Sequence, residues 1–201
     1  MKNILINVLL AAFITACTDY VQQIDEREGE WISITDSRDG KTYMIVPIGT
    51  QIWMAQNLNY DSMDSYCYDD NISNCAKYGR LYMWTAAINV CPEGWHLPSQ
   101  MEWNILFSAV GGSSVAGKML KSIGDWRNEN GNDSFSFSAL PAGERGSGGG
   151  YDLMNSSAYY WSSSERDNEF AYAMNLNYYY DSAFLDELGK NYAFSVRCLK
   201  D

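Results

Sequence analysis

The chain has few of the residues that carry most metal and redox chemistry. Its 201 residues include one histidine, His96, and none of its five cysteines forms a C-x-x-C pair. Structural zinc sites are built from closely spaced Cys and His, and thioredoxin-like sites from C-x-x-C. The sequence therefore gives no support to either kind of site, and we predict no metal and no cofactor.

Basic residues are also scarce. The chain has 14 Lys and Arg against 25 Asp and Glu, and its formal net charge is −11. Nucleic-acid binding draws most of its affinity from Lys and Arg that neutralise phosphates. We therefore expect no nucleic acid among the partners, and the acidic balance fits a surface that faces the outside of a cell.

The apolar run at the N-terminus, residues 4–14, is too short to span a bilayer as a helix. It has the length of the hydrophobic region of a signal peptide. The following Ile14-Thr15-Ala16-Cys17 resembles a bacterial lipobox, in which small residues precede the cysteine that receives the lipid. We predict a lipoprotein signal peptide at residues 1–16 and lipidation of Cys17. The alternative is an ordinary secretory signal with an incidental cysteine.

The predicted domain organisation follows from this N-terminus. Residues 17–35 are interpreted as the lipidated cysteine with a flexible acidic tether, because 18–30 is polar and poor in apolar residues. Residues 36–201 have a length typical of one domain. The expected location is the bacterial cell envelope, with the lipid holding the protein at the outer membrane or cell surface rather than at the periplasmic face.

Lipidation of Cys17 would leave four cysteines for disulfides, which persist in exported proteins. Four cysteines allow three pairings, and the sequence does not choose among them. We favour Cys67–Cys75, which flank a short polar loop, and Cys91–Cys198, which would join the middle of the chain to its last strand.

The pattern of elements predicts an α+β domain. Asp39-Gly40 is a tight-turn signal, and an edge hairpin is expected around 43–54. About two helices are expected, because Ser99 and Glu102 have the spacing of a capping box and shorter helical stretches occur nearby. The two stretches that look helical are 84–90 and 99–110, the second with Met101, Ile105 and Leu106 on its apolar face, and 113–123 is a candidate for another helix. Antiparallel strands should follow at 137–140, 159–163, 171–176 and 192–199, and an early strand paired with the last would bring the ends of the domain together.

Several motifs occur in order along the chain: DGKTY at 39–43, QIWMAQNL at 51–58, GRLY at 79–82, CPEGWHLPS at 91–99, LPAG at 140–143, YWSSSE at 160–165 and FSVRC at 194–198. Together they resemble the Fibrobacter succinogenes major paralogous domain, a family of exported and often lipid-anchored bacterial proteins, over about residues 36–201. The resemblance implies a C-type-lectin-like fold, similar to that of formylglycine-generating enzymes and of the variable proteins of diversity-generating retroelements. It implies no biochemical activity.

No catalytic residue is predicted. His96 could act as a general base, but its CPEGWHLPS motif is typical of a structural turn, in which His96 would bond the backbone. Formylglycine-generating enzymes use a cysteine pair, whereas Cys91 and Cys198 stand in motifs that suit a structural bridge. The many carboxylates show no spacing that selects a glycosidase pair. The calcium triplets Glu-Pro-Asn and Trp-Asn-Asp of sugar-binding C-type lectins are absent.

The segment from Ser157 to Asp186 is rich in aromatic residues interleaved with Ser, Asn and Asp. Three successive tyrosines, 178–180, cannot all face one side of a strand, so at least one ring must be exposed or packed under a loop. This composition is typical of recognition surfaces, because Tyr brings a large contact area at low entropy cost. The candidate ligand contacts are Tyr178, Tyr179, Tyr180, Asp181 and Phe184, with Trp161, Arg166 and Asn168 at the rim.

The resulting hypothesis is a binding or adhesion module that recognises an extracellular carbohydrate or protein and contacts the membrane only through its lipid. One alternative is a structural envelope protein without a small ligand. The other is an enzyme of the formylglycine-generating or glycosidase type.

Overall fold

The computed structural model describes residues 32–128 and 131–201. The predicted signal peptide, Cys17 and most of the predicted tether lie outside these residues. No helix in the described ranges is both long and apolar enough to cross a membrane.

The described chain forms an α+β fold with mostly antiparallel strands, as predicted. It contains four α-helices, of which three lie in the stretches named from the sequence, and a short 3-10 turn at Tyr68–Asp70. The helices are α1 Ile72–Tyr78, α2 Trp84–Ala87, α3 Gln100–Ala109 and α4 Ser113–Leu120. The strands are β1 Ser33–Thr35, β2 Thr42–Ile48, β3 Gln51–Met54, β4 Ser65–Tyr66, β5 Leu81–Met83, β6 Trp95–His96, β7 Glu144–Arg145, β8 Tyr151–Asp152, β9 Ser157–Glu165, β10 Phe170–Asn177, β11 Ala183–Gly189, β12 Ala193–Ser195 and β13 Leu199–Lys200.

The first sheet has the strand order β1-β2-β3-β13-β6. Its β1–β2 turn contains the predicted Asp39-Gly40 signal, and Gly40 has the positive φ of 74° that glycine adopts without steric cost. Leu199 pairs with Trp53 across β13 and β3, so an early strand does meet the last one. Residues 33–35, the last three of the predicted tether, form β1 and pair with β2.

The second sheet follows the order β11-β10-β9-β12-β5-β4, and the small β7–β8 pair joins it beside β12. Its largest part is the antiparallel set β9, β10 and β11. The predicted strand at 137–140 is wrong, since only Ala139 bridges to Lys121. The elements not expected from the sequence include α1, in a polar loop, β11, in a segment with no regular alternation, and several strands of two or three residues.

Helix α3 begins as its capping box predicts. The Ser99 hydroxyl accepts a hydrogen bond from the Glu102 backbone N–H, and the Glu102 carboxylate accepts one from the Ser99 backbone. The predicted apolar face is partly wrong, because Met101 and Ile105 are 73% and 40% exposed. The buried residues are Trp103, Leu106 and Phe107, whose three- and four-residue spacing turns the indole of Trp103 into the core.

An aromatic core joins the two sheets and α3. The Trp53 and Trp103 rings are stacked with centroids 4.7 Å apart, and Phe137 and Tyr160 pack against Trp103 at 6.4 and 6.1 Å. All four side chains are fully buried. Aromatic packing of this kind therefore connects β3, α3, the 137–140 segment and β9.

Arg197 lies fully buried between β12 and β13. Its Nη2 donates to Asn57 Oδ1 at 2.6 Å, and its Nη1 donates to the carbonyls of Met54 and Phe137. The guanidinium carbon also lies 4.4 Å from the Phe137 ring centroid. Burial lowers the pKa of Arg197, and the neutral oxygens around it supply the hydrogen bonds that a buried guanidinium requires.

Both favoured disulfides are present. Cys67 is bonded to Cys75 at a sequence separation of 8, and Cys91 to Cys198 at a separation of 107. The short bridge connects the 3-10 turn to α1. The long bridge joins the segment before β6 to the residue before β13, which reinforces the closure of the first sheet.

The two bridges should differ in their contribution to stability. Loop entropy predicts that Cys91→Ser with Cys198→Ser lowers the unfolding free energy by about 5 kcal/mol, and that Cys67→Ser with Cys75→Ser lowers it by about 2.5 kcal/mol. Urea unfolding of both double variants beside the wild type measures this difference. An equal or larger loss for the short bridge would contradict it.

His96 bridges two carboxylates rather than the backbone, which corrects the predicted contact. Its Nδ1 lies 2.7 Å from Asp201 Oδ1 and its Nε2 lies 2.9 Å from Glu102 Oε1. Desolvation lowers the pKa of His96, but the hydrogen bonds to Asp201 and Glu102 outweigh it and the pKa is raised above 6.5. The ring therefore links β6 to α3 and to Asp201.

His96 is the single histidine of the chain, so its titration by NMR can be assigned without ambiguity. We expect an imidazole pKa above 6.5 that falls in Asp201→Asn and stays unchanged in the control Asp64→Asn. Because the folded pKa is raised, the stabilisation is complete below pH 6.5 and is lost as the pH rises through the folded value. A stability difference between wild type and Asp201→Asn that grows with pH would contradict this.

Candidate functional site

The turn between β10 and β11, together with the start of β11, presents a row of aromatic rings. We call residues 178–184 the aromatic turn. Tyr179, Tyr180 and Phe184 are 70%, 51% and 40% exposed. Their rings meet edge to face, with centroids 5.2 Å apart between the tyrosines and 5.8 Å apart between Tyr180 and Phe184. The row is thus an ordered apolar surface that faces solvent.

Tyr178 has a different role from its two neighbours. It is half-buried and packs against the core cluster around Trp53 and Trp103. The guanidinium carbon of Arg127 lies 5.5 Å from its ring centroid. The three successive tyrosines therefore face different sides, as the sequence predicted. Tyr178 packs on the core side of the turn, whereas Tyr179 and Tyr180 face solvent.

A buried lysine holds the aromatic turn. Lys121, at the end of α4, donates from Nζ to the carbonyls of Asn177 at 2.9 Å and Tyr180 at 2.7 Å. Its ammonium also lies 5.2 Å from the Trp126 ring centroid. Burial lowers the pKa of Lys121 to about 8, while the nearby Asp181 charge acts in the opposite direction.

Helix α4 also contacts the turn through its backbone. The Lys118 N–H donates to the Asp181 carbonyl at 2.9 Å, and Ser182 Oγ donates to the Ser114 carbonyl at 3.3 Å. This approach requires glycine at position 117, because a Cβ there would lie 2.4 Å from the Ser182 oxygen. The Asp181 side chain itself is exposed beside the rings.

The three predicted rim residues do not lie beside the aromatic turn. Trp161 is fully buried, packs against the Phe194 ring with centroids 4.4 Å apart and donates from Nε1 to the Tyr82 carbonyl at 2.7 Å, so its ring cannot contact a surface ligand. Arg166 and Asn168 lie in the β9–β10 turn, at the opposite end of β10. That strand has 8 residues, or roughly 26 Å at about 3.3 Å per residue.

A row of side chains crosses the same face of the second sheet. Tyr159, Asn175 and Phe184 are direct cross-strand neighbours on β9, β10 and β11, and directly paired residues point to one face. Asn175 donates from Nδ2 to Asp186 Oδ2 at 2.9 Å, while its buried Oδ1 has no hydrogen-bond partner among the described residues. Phe184 of the aromatic turn therefore lies beside the polar side chains of Asn175 and Asp186 on this face of the sheet.

A cleft of about 890 Å³ opens farther along this face. Its lining comes from β7, β9, the start of β10, the end of β11 and the two turns that flank β10 and β11 at this end, and includes Glu144, Tyr159, Phe170, Leu188, Lys190 and Tyr192. Of the sequence-predicted residues, only Asn168 belongs to it. No local sequence pattern predicts this cleft, because its lining residues are scattered from 144 to 192 and meet only through strand pairing.

The described residues show neither a metal centre nor a free thiol pair. No group of three or more His, Cys, Asp or Glu side chains in the described ranges is placed to hold a metal ion. Cys91 and Cys198 are bonded to each other. The surfaces that remain as candidates are the aromatic turn and the cleft.

Comparison with known proteins identifies the family. No curated protein and no solved structure matches the chain. The family model described as the Fibrobacter succinogenes major domain matches residues 46–200, which extend from β2 to β13 and contain both candidate surfaces. The chain therefore belongs to the Fibrobacter succinogenes major domain family.

Proposed function

We propose that this protein is a binding or adhesion module of the bacterial cell envelope, with the aromatic turn as its recognition surface. Its ligand would be an extracellular carbohydrate or protein. The observation that carries the proposal is the row of Tyr179, Tyr180 and Phe184, whose rings are exposed although the backbone beneath them is fixed.

The rigidity of the turn favours binding over an incidental exposed patch. A surface that is already ordered loses little conformational entropy when a ligand arrives. Here Lys121 and the close contact at Gly117 hold the turn before any ligand is present. Exposed rings offer flat apolar faces to sugars, and tyrosine hydroxyls add hydrogen bonds for either class of ligand.

The proposal includes a C-type-lectin-like arrangement and a lipid anchor at Cys17. An early strand pairs with the last strand, and a disulfide joins the middle of the chain to the residue before that strand, which suits a domain with neighbouring ends. Two disulfides suit an exported protein, and the lipobox-like residues 14–17 suit display at the outer membrane or cell surface.

The two alternatives make different demands. A cysteine-based enzyme would need a free thiol at Cys91 or Cys198, whose sulfurs are bonded to each other here. A structural envelope protein would need no fixed row of exposed rings. The binding screen below distinguishes recognition from a purely structural role.

A screen of cell-wall polysaccharides, glycans and envelope proteins against the lipid-free chain from Thr18 tests the proposal. Replacing Tyr179 and Tyr180 together by Ala should weaken binding at least about tenfold, because central aromatic contacts dominate interface energy. Tyr178 is left intact because it packs against the core.

The matched control replaces Met63 and Met101 by Ala, since both side chains are exposed and apolar but lie outside the aromatic turn. Circular dichroism checks that both double variants are folded. Equal binding by the two variants, or the absence of any ligand in the screen, would argue against recognition by the aromatic turn.

Loss of the buried ammonium should loosen the turn. In Lys121→Met the carbonyls of Asn177 and Tyr180 lose a donor, so amide hydrogen exchange within residues 178–182 should accelerate about tenfold or more. Lys118→Met removes the same charge from an exposed position of α4 and serves as the control. Unchanged exchange in Lys121→Met would show that the turn is held by other contacts.

A further inference from the structure

The floor of the cleft is aromatic. Tyr159 and Tyr192 both pack against the buried ring of Phe194, with centroids 4.9 and 5.9 Å away. Both tyrosines are half-buried and both line the cleft. Phe194 thus supports two rings that remain accessible from the cleft.

One wall of the cleft carries an unneutralised carboxylate. Glu144 on β7 pairs directly with Asp152 on β8, which places two like charges opposite each other. Within residues 32–128 and 131–201, no hydrogen bond or ion pair reaches the Glu144 carboxylate. Burial raises the pKa of Glu144, and the charge of Asp152 adds to this effect. A cation beside Glu144 would relieve both penalties.

The nearby cation is already engaged elsewhere. Lys190 donates from Nζ to the Glu165 carboxylate at 2.5 Å and to the Asp167 carbonyl at 2.7 Å, and the same ammonium lies 4.1 Å from the Trp84 ring centroid. Glu187, another lining residue, is neutralised by Arg166 at 2.5 Å. Glu144 therefore differs from Glu187 in having no counter-ion among the described residues, and it differs from Glu169, the third carboxylate of the lining, in being half-buried rather than exposed.

A carboxylate beside aromatic rings is suited to one class of ligand. Aromatic faces attract ammonium and guanidinium groups, and a partly desolvated carboxylate forms a strong charge-assisted hydrogen bond with them. Anionic ligands would be repelled by Glu144 and Asp152. The volume of about 890 Å³ is ample for a small organic molecule or a long side chain.

We propose that this cleft binds an organic cation, an ammonium or guanidinium group, with Glu144 as its counter-ion and Tyr159 and Tyr192 as its aromatic floor. The cation has two possible sources: a free amine or guanidine, or the Lys or Arg side chain of a protein. This site is separate from the aromatic turn and does not depend on the function proposed for that turn.

Isothermal titration of the full chain tests the site with two pairs of probes. The free cations are putrescine and agmatine, and the side-chain mimics are the Nα-acetyl methylamides of lysine and arginine. The Nα-acetyl methylamide of norleucine is the neutral comparison. At least one cationic probe should bind saturably, and the norleucine derivative should not. Preference for the free cations or for the mimics identifies the source, and either preference supports the site.

Two substitutions locate the binding. Glu144→Gln removes the charge without changing the size of the side chain and should lower affinity about tenfold or more. Glu93→Gln makes the same change at an exposed position outside the cleft and should leave affinity unchanged. Tyr192→Leu keeps the floor apolar but removes a ring face, so it should weaken cation binding several-fold.

Three results would overturn the proposal. They are the absence of saturable binding by all four cations at millimolar concentration, equal affinities of Glu144→Gln and Glu93→Gln, and loss of cation binding in the Tyr179→Ala, Tyr180→Ala variant. The last would place the cation at the aromatic turn. Amide NMR spectra of each variant establish that the fold is retained.

Discussion

The passage of the chain between the two sheets is the constraint on which the rest of the structure depends. Residues 193–199 leave the second sheet as β12 and enter the first as β13, and every one of them is buried. Arg197 occupies the centre of this passage and bonds Asn57 and backbone carbonyls. Cys198 adds the bridge to Cys91. Because a buried guanidinium must keep its hydrogen bonds, these contacts hold the two sheets in one relative position.

Both candidate surfaces use this rigid interior in the same way. The backbone of the aromatic turn is held by Lys121, whose buried side chain bonds the carbonyls of Asn177, at the end of β10, and Tyr180, within the turn. The tyrosines of the cleft rest on Phe194 of the buried passage. In each case a buried side chain, Lys121 or Phe194, supports the surface from the interior, and the aromatic rings above it remain accessible to a ligand. Recognition surfaces supported from below retain their shape without a ligand.

Local signals in the sequence predicted what depends on near neighbours. The capping box of Ser99 and Glu102 located the start of α3, and Asp39-Gly40 located the first turn. The predictions failed where distant packing decides: Met101 and Ile105 are apolar but face solvent, because Trp103 and Phe107 occupy the core face. The sequence does not predict strand β11, since its pairing with β10 and not its own residue pattern makes it a strand.

The sequence alone determined the family, the α+β class and the exposure of some of the three successive tyrosines, because each depends on ordered motifs or strand alternation. It favoured two disulfide pairings, but the structure decided them among three. Only the tertiary structure decided that Trp161 is core, that Arg166 and Asn168 lie a strand's length from the aromatic turn, and that Glu144 faces a cleft without a counter-ion. The physical reason is that burial and charge neutralisation depend on residues far apart in the chain. The local sequence pattern does not show which of these distant residues come into contact.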